Sequence, residues 1–142
     1  MTENEITIGA PRETVFAVLA DAKRYADWVV GTAEIRDADV VWPAPGAKLY
    51  HSVGAGPLRF DDHTEVLACE APGRLVLLAH LGPLGDFKVD LRLDDAGGGT
   101  TRVVMLEGPV KGISRVAGPA GDAFGSVRNA LSLRRLKDIA ES

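Results

Sequence analysis

The segment Phe87-Lys88-Val89-Asp90-Leu91-Arg92-Leu93-Asp94 alternates apolar and charged residues without a break. Successive side chains of a strand point to opposite faces. The spacing therefore predicts a strand with Phe87, Val89, Leu91 and Leu93 on a dry face and Lys88, Asp90 and Arg92 on a wet one. A sheet with one dry face must cover it, and the rest of the chain has to supply the cover.

Working outward, extended segments are predicted at Lys48–Val53, Phe60–Glu70, Arg74–Leu81 and Thr100–Glu107. They are separated by short Gly- and Pro-bearing turns, the pattern of an antiparallel run. Ala33–Val41 reads as a further strand, ended by Trp42-Pro43-Ala44-Pro45-Gly46, and residues 3–9 as a first short strand. Between these two, Pro11 opens a helix carrying Val15, Phe16, Val18 and Leu19 at helical spacing. Asp21 is placed to cap a second short helix reaching about Trp28.

After Gly112 the period changes. Ala120, Phe124, Val127 and Leu131, joined by Ala130, Leu136 and Ala140, form the expected apolar stripe of a long terminal helix, with Arg128, Arg134, Arg135 and Lys137 facing elsewhere. Gly118, Pro119, Gly121 and Gly125 predict an irregular lead-in, with regular helix starting near Gly121 and the lead-in acting as a gate. The expected fold is α+β: a curved antiparallel sheet of about seven strands wrapped around the C-terminal helix, with two short helices after the first strand. A bent sheet meets a straight helix along only part of its length, which leaves room for a mostly apolar cavity.

The 142 residues suit one domain, 1–142, with a core of its own. A formal charge of -4 gives no reason to expect nucleic acid as a partner. Cys69 is the only cysteine, so neither an intrachain disulfide nor a cysteine-based metal site can form. With no signal-peptide pattern and no apolar run long enough to span a bilayer, no integral membrane segment is expected, and the cytoplasm is the expected location.

Several short pieces in order carry a resemblance. They are Ile6-Thr7-Ile8, Ala10-Pro11-Arg12-Glu13-Thr14-Val15-Phe16-Ala17-Val18-Leu19, Tyr25-Ala26-Asp27-Trp28 and Pro45-Gly46-Ala47, then Val66 with Ala71-Pro72-Gly73-Arg74-Leu75, and Gly99-Thr100-Thr101-Arg102-Val103. Together they resemble the START-like or Bet v 1-like (SRPBCC) superfamily, and within it the polyketide cyclase/dehydrase group of ligand-binding proteins. The resemblance covers nearly the whole chain. It implies the helix-grip fold and a pocket, while members range over lipid carriers, cyclases, hydrolases and co-chaperone modules.

Polar residues that strand alternation turns inward are the candidates for chemistry, because burying them costs free energy unless they are paired or used. If Thr101, Val103 and Met105 face inward, so does Glu107; if Val66 faces inward, so do Thr64 and Asp62; and His51 shares a face with Leu49 and Val53. His51, Asp62 and Glu107 could orient a ligand's polar group or move a proton. Alternatively they satisfy one another or the backbone. Tyr25 and Trp28 share a helical face and either close one mouth of the cavity or plug the core. Phe87, Met105, Phe124 and Leu131 are expected as apolar walls. His63 and Glu65 fall on the opposite face, and His80 has no second metal ligand at a recognisable spacing.

No phosphate loop, dinucleotide fingerprint, zinc-binding His-Glu-x-x-His or nucleophile elbow occurs, so no cofactor or metal is implied. The expected function is binding of a small, largely hydrophobic molecule of lipid-like, aromatic or polyketide-like kind. A polyketide cyclase/dehydratase-like enzyme using the same cavity and a co-chaperone-like interaction module are the alternatives.

Overall fold

A computed structural model describes residues 2–55, 57–82, 85–111 and 118–142. Strand β1 (Thr2–Ile8) leads into helix α1 (Arg12–Leu19), a 3-10 turn at Ala22–Arg24 and the one-turn helix α2 (Tyr25–Trp28). Then come β2 (Thr32–Ala38), β3 (Lys48–Ala55), β4 (Leu58–Glu70), β5 (Arg74–His80), β6 (Asp86–Gly97), β7 (Thr100–Lys111) and the long helix α3 (Gly118–Glu141).

The strands form one antiparallel sheet in the order β1-β7-β6-β5-β4-β3-β2. β2 to β7 is a meander, and β1 adds beyond β7. The first two strands are therefore opposite edges, and the helical stretch between them has to carry the chain across. α3 packs on β1, α1 and α2. Register shifts between Val66 and Ala68 on β4 and between Asp95 and Gly97 on β6 add a residue to one strand only, which bends the strand and increases its twist.

The alternation that predicted β6 holds on its inward side, where Val89, Leu91 and Leu93 are buried. β7 buries Thr101, Val103, Met105 and Glu107 on the same face. Full burial of a side chain such as Leu91 stabilises by about 1.5–3 kcal/mol. The outer face is less simply wet than the pattern suggests. Asp90 is buried there, taking hydrogen bonds from Arg74 Nε (3.1 Å) and Nη2 (2.9 Å) and from Arg92 Nη2 (3.1 Å). Burial pushes its carboxyl up, but the two guanidiniums outweigh that and hold it below the usual carboxylate range.

Local signals account for the turns. Asp21 caps the 3-10 turn by accepting the Lys23 N–H at 3.1 Å. Gly54 has φ +100° and donates to Gly31 O at 3.0 Å, and a Cβ there would lie 2.1 Å from Leu58 O, so the β3–β4 hairpin admits only glycine.

The structure departs from the sequence pattern in three places. β2 ends at Ala38, and Val40 and Val41 are exposed in the turn that follows. α3 is helical from Gly118, with Pro119 in its first turn, where the missing N–H costs nothing; an irregular lead-in between Gly112 and Gly118 lies outside the described residues. Most consequentially, α3 is rotated relative to the expected stripe. Leu136 and Ala140 of that stripe are buried, but Phe124, Val127 and Leu131 are 74%, 64% and 51% exposed, and Asn129, Ser132 and Leu133 are buried in their place. The cause is polar. Ser132 Oγ accepts the Val30 N–H at 3.0 Å and Asn129 donates to Glu107, so this face of the helix is held against the sheet and α2.

Candidate functional site

α2 and β3 build one wall. Tyr25 and Trp28, three residues apart, both turn into the core, their rings 5.8 Å apart in a T-shaped contact. The Tyr25 ring also stacks parallel to His51 at 6.0 Å and meets Trp42 edge-on at 6.4 Å. Trp42 is pinned in turn by its Nε1–H donating to Leu19 O at 3.3 Å. Thr64 Oγ1 links the polar atoms, lying 2.8 Å from His51 Nε2 and 3.4 Å from the Tyr25 hydroxyl.

His51 is 1% exposed. Burial, opposed by the Asp62 carboxylate, lowers its pKa from 6.5 to about 4, so the ring is neutral at neutral pH. Burial likewise raises the Tyr25 phenol. A neutral imidazole has one donor and one acceptor nitrogen. Nε2 is engaged by Thr64, while the buried Nδ1 makes no hydrogen bond to another described residue. A buried polar atom left unmatched costs about 1–3 kcal/mol.

β7 and α3 build the facing wall. The Glu107 carboxylate accepts from Arg128 Nη2 at both oxygens and from Asn129 Nδ2 at 3.1 Å. Asn129 Nδ2 also donates to Thr2 Oγ1 at 3.1 Å. The Glu107 and Arg128 side chains are 7% and 19% exposed, which makes this a largely buried ion pair reinforced by an amide.

Between the walls is a void of about 40 Å³, lined by Tyr25, Trp28, His51, Met105, Glu107, Asn129 and Ser132 together with Leu77 and Val89. It has room for about one water and falls short of the few hundred Å³ a ligand pocket normally offers. A wider groove of about 920 Å³ lies outside, between the end of α1 and edge strand β2, and is lined by Ala17, Ile35, Arg36, Val40 and Trp42 among others. None of the residues expected to bind a ligand lies in it. The inner void is where the inward polar groups converge.

Residues 2–141 match the family model described as polyketide cyclase / dehydrase and lipid transport. The chain belongs to this family. No curated protein matches it in sequence. Among solved structures, this polyketide cyclase/dehydrase-family chain is similar to the hypothetical protein jhp0584 of Helicobacter pylori at a TM-score of 0.75 and 14% identity, covering 98% of this chain and 86% of that one. It is similar to DR_A0006 of Deinococcus radiodurans at 0.69 and 17%, covering 99% and 96%. DynU16, a protein of the dynemicin biosynthetic locus, gives 0.71 and 20%, with 99% of this chain matching 47% of that longer one. At these identities the likeness is one of fold.

Of the nine side chains singled out in this family member's sequence, Tyr25, Trp28, His51, Met105 and Glu107 line the void. Asp62 faces His51 across β3 and β4, but its oxygens accept backbone N–H groups of His63 (2.9 Å) and Gly82 (2.8 Å). Phe87 is half-buried at the start of β6, opposite Ala79 and Pro109, and stays out of the void. Phe124 and Leu131, expected as walls, are exposed because the helix turns another face to the sheet. Arg128, Asn129 and Ser132 complete the walls without having been singled out, and Thr64 stands behind them, bonded to His51 and Tyr25. One signal pointed to Arg128: an inward Glu107 needs a cation within reach. Among the described residues no group of three or more His, Cys, Asp or Glu is placed to hold a metal ion, and no helix is long and apolar enough to cross a membrane.

Proposed function

We propose that this protein binds a small, largely hydrophobic molecule between the sheet and α3, with Trp28, Leu77, Val89 and Met105 as apolar walls and His51 as the orienting polar group. The observation that carries the reading is the neutral His51 side chain, which lines the void with its buried Nδ1 unmatched. A ligand hydroxyl or carbonyl would satisfy that nitrogen and recover the cost of leaving it bare. Family membership supports the same reading. Because the void is about 40 Å³, binding requires the walls to part. A site of action in the cytoplasm fits a chain whose one cysteine, Cys69, is free.

The proton-moving alternative has less support. Glu107 is engaged by Arg128 and Asn129, Asp62 by backbone N–H groups, and His51 is too weak a base to hold a proton at neutral pH.

Native mass spectrometry of protein purified from its own host is expected to show an added mass of small-molecule size that is lost on denaturation. Met105→Trp fills the space and should weaken binding of that molecule, or of an environment-sensitive hydrophobic dye, by at least about tenfold, at a cost of about 1–3 kcal/mol in stability. A chain that carries no added mass, takes up no dye and is indifferent to Met105→Trp would sink the proposal.

A further inference from the structure

The chain has three histidines, and the two not used inside meet on the outer face of the sheet. Thr64 pairs with Ala79 across β4 and β5, so the next positions are His63 and His80. Thr64 and Ala79 face inward, and this pair therefore faces out. The ring centroids are 4.3 Å apart, with the planes tilted by 39°. Their side chains are 31% and 22% exposed, which leaves the pair reachable from solvent.

Each ring has a carboxylate at Nδ1. His80 Nδ1 is 2.8 Å from Asp86 Oδ1, and His63 Nδ1 is 3.4 Å from Asp62 Oδ1. Nε2 of neither ring has a hydrogen-bond partner among the described residues. A histidine whose Nδ1–H is held by a carboxylate while Nε2 stays open, as His80 is by Asp86, is oriented as metal-ligating histidines are, and His63 has the Asp62 carboxylate near its Nδ1 without a hydrogen bond to it. Cross-strand neighbours have Cβ atoms roughly 4.5–5.5 Å apart, and metal–imidazole bonds are about 2.0–2.1 Å, so two rings side by side can reach one ion by side-chain rotation alone. Other charges close to His63 are Lys48 and Glu65, opposite in sign, so the two aspartates set the balance and favour a cation.

We propose that His63 and His80 chelate a divalent transition-metal ion through Nε2, with Asp86 orienting the His80 ring, Asp62 adding negative charge beside His63, and water filling the remaining positions. Imidazole donors suit Cu²⁺, Ni²⁺ and Zn²⁺, and Cu²⁺ is bound tightest of the three. With two protein ligands, the site is an open, exchangeable one.

Metal-stripped full-length protein, titrated by calorimetry at pH 7.5 with copper chloride and separately with nickel chloride, is expected to bind one ion per chain, Cu²⁺ more tightly. The electron paramagnetic resonance spectrum of the Cu²⁺ form is expected to show coupling to two nitrogens. His63→Asn and His80→Asn should each lower the affinity by more than the roughly 10–100-fold that losing an outer-shell partner costs, and Asp86→Asn by about that amount. Melting curves of the metal-free variants establish that they fold. Failure to bind either ion, or wild-type affinity in either folded histidine variant, would overturn the proposal and mark any bound metal as adventitious.

Discussion

Arg128→Met is expected to destabilise the protein by about 3–5 kcal/mol, the cost of stranding a buried charge. Arg128 is the cation on Glu107, whose carboxylate is 7% exposed on the inner face of β7. Without it, Asn129 is the one donor left to that carboxylate among the described residues. Glu107 must then take up a proton or draw in water, and either response costs stability. Pairing the change with Glu107→Met removes both charges, and the double variant should recover most of the loss, since two well-packed apolar side chains often replace a buried ion pair at little cost. Urea unfolding at pH 7.5 of the wild type, both single variants and the double variant makes the cycle. A loss under about 1 kcal/mol for Arg128→Met would show that the pair is solvated in solution and sets no register for α3.

That register is the part of the fold the sequence left ambiguous. The sheet was legible because Phe87–Asp94 has one consistent phase and the glycine turns fix where each strand stops. α3 offers two apolar rows instead. Phe124, Val127 and Leu131 form one; Asn129, Ser132 and Leu133 form the other, and Leu136 and Ala140, counted in the expected stripe, are buried with this second row. Hydrophobic periodicity selects the first, because phenylalanine, valine and leucine outweigh asparagine and serine. The structure buries the second, because Asn129 and Ser132 have particular partners in Glu107 and the Val30 N–H. Those partners lie 22 and 102 residues away, beyond the reach of any local pattern. The site shows the same division. The phases that put Leu49, Val66 and Met105 inward also bury His51, Thr64 and Glu107, while the bonds of Thr64 to His51 and of Arg128 to Glu107 became apparent only once strands and helix were packed. His63 and His80, 17 positions apart in the chain, are likewise brought together solely by the pairing of β4 with β5.

Acid should weaken the protein well before its carboxylates titrate, and His51 is the reason. Its pKa is about 4 in the folded chain against 6.5 for an exposed imidazole, with burial as the main cause. The unfolded state therefore binds a proton at a higher pH than the folded state does. Stability is fully present above about pH 6.5, and it declines progressively as the pH falls toward 4. By pH 5 this one ring should have removed about 2 kcal/mol. His63, also depressed, chiefly by burial, acts in the same direction from a more exposed position. Asp90, whose pKa is lowered by its arginine partners, acts at lower pH, so a comparison of pH 7.5 with pH 5 isolates the imidazoles. His51→Gln keeps an amide that can bond to Thr64 and removes the titrating group. It should lower stability at pH 7.5, yet flatten most of the difference between the two pH values. An unchanged pH dependence in that variant would mean that His51 takes up its proton in the folded state at an ordinary pKa. The ring would then present a cation to the void, and a ligand carrying a negative charge would fit the site better than a neutral one.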